Sequence, residues 1–474
     1  MVPRLLRRSF RVAAAWSPDE RDAVLYAASA LFAMCTATWS GISLYQQWGR
    51  FAVGPYAFGA LASALFARRA RNASIQLHPV EKGRETITTL WGDGAVSQTR
   101  DRRPWYWTTH RTVIFLIVLV GATLAPLSFE VLWRTDSAPG TTHVQPETEV
   151  VEQAGIHALH HHPQYSYVNP KDPPKAPPGQ PAYDVFNPYL PLMSVFGLPA
   201  GTNAPRRLTD ARVWFSVFTI LVVVVALALC RGPTGPRVLT LQAMTVLPSA
   251  ALPLATGGDD VPIAALMLLC LVLLQRRKPL LGGVAVGVAA SMKITAWPLA
   301  AIAILAARDK EGARSRTARL WYVLGLFGVM VPAVLPSAAQ NLTAFVENVV
   351  RFPLGLAGMS SPAASPLLGH ALVSAFPQIH RGFTIVVALA GAAALAYVLV
   401  RHTPRSPWEV SRLLAWTMAI AILLAPATRI GYAIYPVDFF VWTLLLRGED
   451  LNETVTLAKL EPASSHRKRR KVAA

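Results

Sequence analysis

Carboxylates, histidines and isolated cations interrupt an otherwise apolar chain at a few places. Glu147, Glu149 and Glu152 follow Pro146 in QPETEVVEQAG. Proline suits a first helical turn, and acids just after it complement the positive end of the helix dipole. A carboxylate there can act as a general base, taking the proton of an acceptor hydroxyl during group transfer. The plainer reading is a set of solvated helix charges. His157, His160, His161 and His162 come next. On a continuous helix His157 and His161 share a face and can offer two imidazoles to a metal, with Glu152 completing the site. Nothing in the spacing specifies a third ligand, so a divalent cation is compatible with the sequence without being required by it. The apolar residues Val150, Val151 and Ala154 would give this short helix a side to lay on a membrane.

Asp259 and Asp260 stand in TGGDDVP, where capping of a helix accounts for one acid but not both. Lys293, in SMKITAWPL, and Arg429, in PATRIGYAIYP, each interrupt apolar sequence. Ionisable residues at membrane depth are costly and point to function. A phosphate or pyrophosphate group would need such cations, while snorkelling to the interface is their simpler use. YSYVNP and YDVFNPYLPLMSVFGLP combine prolines with tyrosines, Tyr189 among them. Rings of this kind anchor a protein at the interface, stack on sugars or line the entry for a lipid tail.

The elements that must position these residues are membrane helices. The chain has 474 residues, 53% of them hydrophobic and only 15% charged, with a mean hydropathy of +0.36. Repeated apolar runs predict an all-α polytopic protein of about 12 spans. The formal charge of +19 comes from Lys and Arg clustered at the ends of apolar runs. That is the pattern of membrane topology, and it argues against nucleic acid as a partner. The clusters place both termini in the cytosol. Residues 1–111 read as a cytosolic N-terminus, a two-span hairpin (about 22–45 and 51–67) and a cytoplasmic loop. Residues 112–307 read as a core carrying an outer loop, 135–210. Residues 308–446 hold the remaining spans with a second outer loop, 338–381, and 447–474 form a basic cytosolic tail. The stretch 279–307 is flanked by cytosolic signals at both ends, so it is expected to be two short helices meeting near Lys293. On this topology the acids of the large loop, Asp259, Asp260, Lys293 and Arg429 all face outward. Cys35, Cys230 and Cys270 fall in apolar runs and read as packing residues. There is no GxxxxGK[ST] loop for a nucleotide and no cleavable signal peptide is visible.

With these residues in view, the chain resembles glycosyltransferase family 87, within the GT-C group of polytopic enzymes of actinobacterial type. The resemblance is carried by VVEQAGIHALHHHPQY and FNPYLPL, then by GGDDVPIAALMLLCLVLLQRRKPLLGGVAVGVAASMKITAWPL. Gly258-Asp259-Asp260 stands where the family has an acidic motif, and Lys293-Ile294 where it has Lys-Pro. The resemblance implies a GT-C-like bundle at the plasma membrane, with its active site on the extracytoplasmic side. It implies a polyprenyl-phosphate-sugar donor, a glycolipid or glycan acceptor, membrane lipids as surroundings, and transfer of a hexose, often mannose. It also implies a base in the first outer loop, for which Glu147 stands at about the right position and Glu149 is its rival. The lipid phosphate would leave in one inverting displacement, its charge met by Lys293 and Arg429. Asp259, Asp260 and Tyr189 complete the expected substrate contacts. Two extra spans before the loop, and Ile294 in place of proline, are departures that can mark a specialised or inactive branch. A transporter or lipid flippase is the rival class, but it predicts inverted repeats, and none is evident.

Overall fold

The computed structural model describes residues 16–77, 108–136, 143–167, 185–309, 311–354, 356–357, 363, 365 and 367–460. Parts of the expected loops and tail lie outside the described residues: 78–107, 137–142, 168–184 and 461–474. Among the described residues the regular structure is helical, apart from one short backbone pairing of Ala363 and Ser365 with Thr428. It is a polytopic membrane protein. Eight helices among the described residues are long and apolar enough to cross a membrane, and four shorter apolar helices accompany them. The chain divides into two compact units.

The first unit takes in the described residues of Met1–Leu221, Leu241–Pro262 and Ser337–Pro362. α1 (Pro18–Trp39) begins with a capping box, in which Ser17 and Glu20 satisfy each other's backbone donors. The expected hairpin turn falls earlier than the apolar runs suggest. α1 stops at Ser40, and α2 (Ser43–Leu77) carries Gln46 and Gln47 inside its first turns. Gln46 is accommodated because its amide donates to the Ser40 carbonyl at 2.6 Å, closing the turn. α2 packs on α1 where Gly49 lies against the backbone of Ala33 and Ala37; a Cβ there would stand 2.6 Å from the Ala33 carbonyl oxygen.

α3 (Thr109–Asp136) contains a π turn at Val120–Leu124. The turn offers the Ala122 carbonyl to the Trp48 indole at 2.9 Å, and Thr123 donates to the Thr245 carbonyl at 2.8 Å. Tyr26, Trp48, Tyr56, Phe115, Val118 and Val246 form the buried core around it. α4 (Pro146–Leu159) follows, then a 3-10 segment, Pro191–Gly201.

The second unit takes in the described residues of Val222–Thr240, Ile263–Pro336 and Ala363–Ala474. α5 (Ala211–Leu229), α6 (Thr234–Thr256, stepped at Pro248) and α7 (Asp260–Gln275) each have residues in both units. α8 (Pro279–Ala290) ends before Lys293, and α9 (Ile294–Ala306) restarts after it. That is the break expected near Lys293. α10 (Arg316–Gln340) crosses α8 through small residues. A Cβ on Gly283 would lie 2.1 Å from the Tyr322 carbonyl oxygen, and one on Gly325 2.2 Å from that of Leu280. Close backbone approach of this kind is how helices associate where burial from water gives no advantage. α11 (Pro377–Arg401), α12 (Pro407–Leu424) and α13 (Ile434–Leu460) complete the unit. α11 exposes Val386, Leu389 and Val400, as a lipid-facing helix does.

Candidate active site

In the first unit the site is built on α4. Pro146 occupies its first turn, as expected. Its apolar side faces a different neighbour from the one expected. Val151, Ala154 and Gly155 are buried against the 3-10 segment, not laid on a membrane. The reason is a glycine crossing. A Cβ on Gly155 would stand 2.0 Å from the Gly197 carbonyl carbon, and one on Gly197 2.0 Å from the Val151 carbonyl oxygen. The head of α4 is tied to the turn before α7. Gln145 N donates to Thr256 O at 3.0 Å, its side-chain amide to Thr256 Oγ1 at 2.6 Å, and Thr148 Oγ1 to Gly257 O at 3.1 Å. Gly257 has φ +111°, a conformation that favours glycine, and this lets the chain turn back sharply into Asp259 and Asp260. Glu147 and Glu149 are thus brought to the same end of the unit as Asp259 and Asp260. Asp259 is buried, and Asp260 is the first residue of α7 and half-buried.

The three glutamates have different surroundings. Glu152 is buried and receives both guanidinium nitrogens of Arg134, at 2.8 and 2.7 Å, plus the backbone N–H of Ala211 at 3.0 Å. Those bonds occupy its carboxylate, so it is not available as the metal ligand considered above. Glu149 keeps a looser contact, 3.8 Å from Arg134. Burial raises its carboxyl above the usual range; Arg134 and Arg212 oppose the rise, and Glu152 and Asp210 add to it. Glu147 is half-buried. Beside them Asp210 accepts from Arg212 at 2.9 and 2.8 Å and from Arg134 at 3.0 Å. Burial alone would raise Asp210, but the two guanidiniums outweigh it and hold the group at about 2. Arg212 also donates to the His143 carbonyl at 2.7 Å, and the His143 ring lies 3.2 Å from the buried Glu130.

The histidines do not share a helix face. α4 ends at Leu159, His160 caps it, and His161 has φ +58°. The imidazoles of His157 and His161 are therefore not stacked one turn apart. Among the described residues no group of three His, Cys, Asp or Glu is placed to hold a metal.

Tyr189 is buried, 3% exposed. Its carbonyl accepts from Tyr165 Oη at 2.7 Å, and its N–H donates to Asn187 Oδ1 at 3.2 Å. The fully buried Asn348, from the second expected loop, accepts from the Asn187 N–H at 2.8 Å and donates to the Ser166 carbonyl at 2.9 Å. Phe186 and Phe352 stack 4.4 Å apart beside this join. Tyr189 is therefore held by its main chain.

In the second unit Lys293 is 8% exposed and sits, in extended conformation, at the break between α8 and α9. Its ammonium lies 5.6 Å from the Tyr432 ring centroid. Arg429 precedes a 3-10 turn, Ile430–Ala433, whose Tyr432 N–H donates to the Arg429 carbonyl at 3.0 Å. Thr295 and Tyr435 join their hydroxyls at 2.6 Å. The two cations, 136 positions apart in the chain, are thus set on adjoining turns of one unit.

Arg134, Asp210, Arg212 and Asn348 were not singled out from the sequence. One signal for the arginines was present. Arg134 and Arg212 flank the large loop on the side expected to be poor in Lys and Arg, a departure from positive-inside topology that calls for a local partner.

A family model described as glycosyltransferase family 87 matches residues 188–445, more than half of the chain. No curated protein matches it.

Proposed function

The chain belongs to glycosyltransferase family 87 and is a membrane glycosyltransferase, and from that premise we propose a specific reaction. The enzyme transfers a hexose, mannose being the first candidate, from a polyprenyl-phosphate-sugar to a hydroxyl of a glycolipid or glycan. A carboxylate in the first turn of α4 removes the acceptor's proton. The acceptor oxygen then bonds to the anomeric carbon from the face opposite the phosphate, and the carbon–oxygen bond to phosphate breaks. The electron pair leaves on the lipid phosphate, so the configuration inverts and no covalent intermediate forms. Lys293 and Arg429 are assigned the charge on that phosphate, since oriented cations stabilise a leaving oxyanion. The distribution of Lys and Arg supports both termini being cytoplasmic and transfer being extracytoplasmic, and we assign the enzyme to the plasma membrane.

The observation that carries this reading is the division among the glutamates of α4. Glu152 is bound to Arg134, while Glu147 and Glu149 stand in the first turn beside the Gly257–Asp260 turn. The test is transfer from radiolabelled polyprenyl-phosphate-mannose by the purified protein in lipid nanodiscs, with and without chelator. Wild type is compared with Glu147→Gln, Glu149→Gln and Lys293→Ala. One of the two glutamine variants is expected to lose about 10²–10⁴-fold in turnover. Absence of transfer from mannosyl, glucosyl and arabinosyl donors to a membrane extract would refute the reading and favour a transporter or an inactive branch.

A further inference from the structure

Arg134, on the last turn of α3, gathers three carboxylates from two other segments of the first unit. It binds Glu152 with both terminal nitrogens, at 2.8 and 2.7 Å, and Asp210 at 3.0 Å. Its Nη2 stands 3.8 Å from Glu149 Oε1. Glu152 and Asp210 have further donors, Ala211 N–H and Arg212, so both are held from two sides. Glu149 lies three residues before Glu152 on the same helix, with its side chain 24% exposed. We infer that Arg134 is a positioning residue for the transfer reaction, holding the Glu149 carboxylate at the head of α4 while it anchors Glu152 and Asp210. This rests on the reading of the first turn as the source of the base, and it narrows that source to Glu149.

The distances give the physical argument. A carboxylate gripped by a bidentate guanidinium, as Glu152 is, has its lone pairs committed, as befits a structural anchor. At 3.8 Å the same guanidinium exerts a directional pull without a hydrogen bond, leaving the oxygens able to accept a proton. The charged groups facing Glu149 are Arg134 from α3, Glu152 from α4, and Asp210 and Arg212 at the head of α5. They form two cations and two anions. Removing one anion or one cation therefore displaces the balance in opposite directions.

The experiment is the pH dependence of kcat/KM in nanodiscs, using polyprenyl-phosphate-mannose as donor. The enzymes are wild type, Glu147→Gln, Glu149→Gln, Glu152→Gln, Arg134→Gln and Arg134→Lys. The acid limb of kcat/KM reports the free enzyme's base. Glu152→Gln removes a negative neighbour and should move that limb to lower pH. Arg134→Gln removes a positive one and should move it to higher pH, with kcat lowered about tenfold or more as the carboxylate loses its place. Arg134→Lys keeps the charge and should restore the limb, though not the full kcat. Glu149→Gln should abolish transfer. Glu152→Gln leaves Arg134 paired with Asp210, so it tests the inference even where Arg134→Gln fails to fold. An acid limb unmoved in folded Glu152→Gln overturns it. So does an active Glu149→Gln beside an inactive Glu147→Gln, an outcome that leaves the transferase reading intact. Full activity in both glutamine variants would instead remove the first-turn base itself.

Discussion

The head of α4 and the turns at Lys293 and Arg429 both hold charge in an apolar protein, on different supports. Around α4 the charges are met by charges: Arg134, Glu152, Asp210 and Arg212 interlock at 2.7–3.0 Å. Around Lys293 the support is a broken helix, an aromatic face and a hydroxyl pair. The first arrangement makes stability depend on the ions themselves, because removing one partner strands a buried charge. The second ties the cation's place to backbone geometry, because Lys293 stands where one helix stops and the next begins. The contrast teaches that charge substitutions in the two regions should be read by different assays.

The largest effect should come from the crossing beneath α4. Gly155→Ala forces a methyl into the Gly197 backbone, and a loss of about 4 kcal/mol or more is expected, seen as thermal unfolding in detergent. Gly328→Ala, in open space on α10, is the neutral control. Arg212→Met leaves Asp210 with Arg134 as its one guanidinium partner and should lower stability by about 1–3 kcal/mol; a variant with wild-type melting would break the comparison. Lys293→Ala is read in turnover instead, where a loss of about 10²–10³-fold is expected.

Acid sharpens the same contrast. Asp210 has its folded value depressed from 3.8 to about 2. Its contribution, about 2 kcal/mol, is therefore present above the unfolded value and lost as pH falls from near 4 through about 2. Glu149 shifts the other way, so it adds nothing to that acid-side loss. Melting followed from pH 6 to pH 2 should show the decline in wild type and a smaller one in Asp210→Asn. The smallest effect is expected for Tyr432→Leu, which removes an aromatic face worth about 0.5–1 kcal/mol to a cation. It should raise the donor KM a few-fold at most and leave melting unchanged.

Much of the scaffold was legible in the residues. Apolar runs marked the spans, Pro146 marked the start of α4, and basic flanks at both ends of 279–307 required the break at Lys293. Other features depended on partners distant in the chain. The side of α4 that reads as a membrane face is instead covered by Pro191–Gly201, because two glycines let the backbones meet. The spacing of His157 and His161 carries helical meaning only while the helix lasts, and it stops at Leu159.

By itself the sequence determined that this is a polytopic helical membrane protein with acids concentrated in one long loop and two cations isolated in apolar stretches. Composition and the hydrophobic effect act locally, residue by residue, so they can be read along the chain. Only the tertiary structure decided that Glu152 serves as an anchor, that Arg134 and Asp210 join it, and that Lys293 and Arg429 occupy adjoining turns. Those outcomes depend on distances between residues tens to more than a hundred positions apart, set by packing rather than by any local pattern.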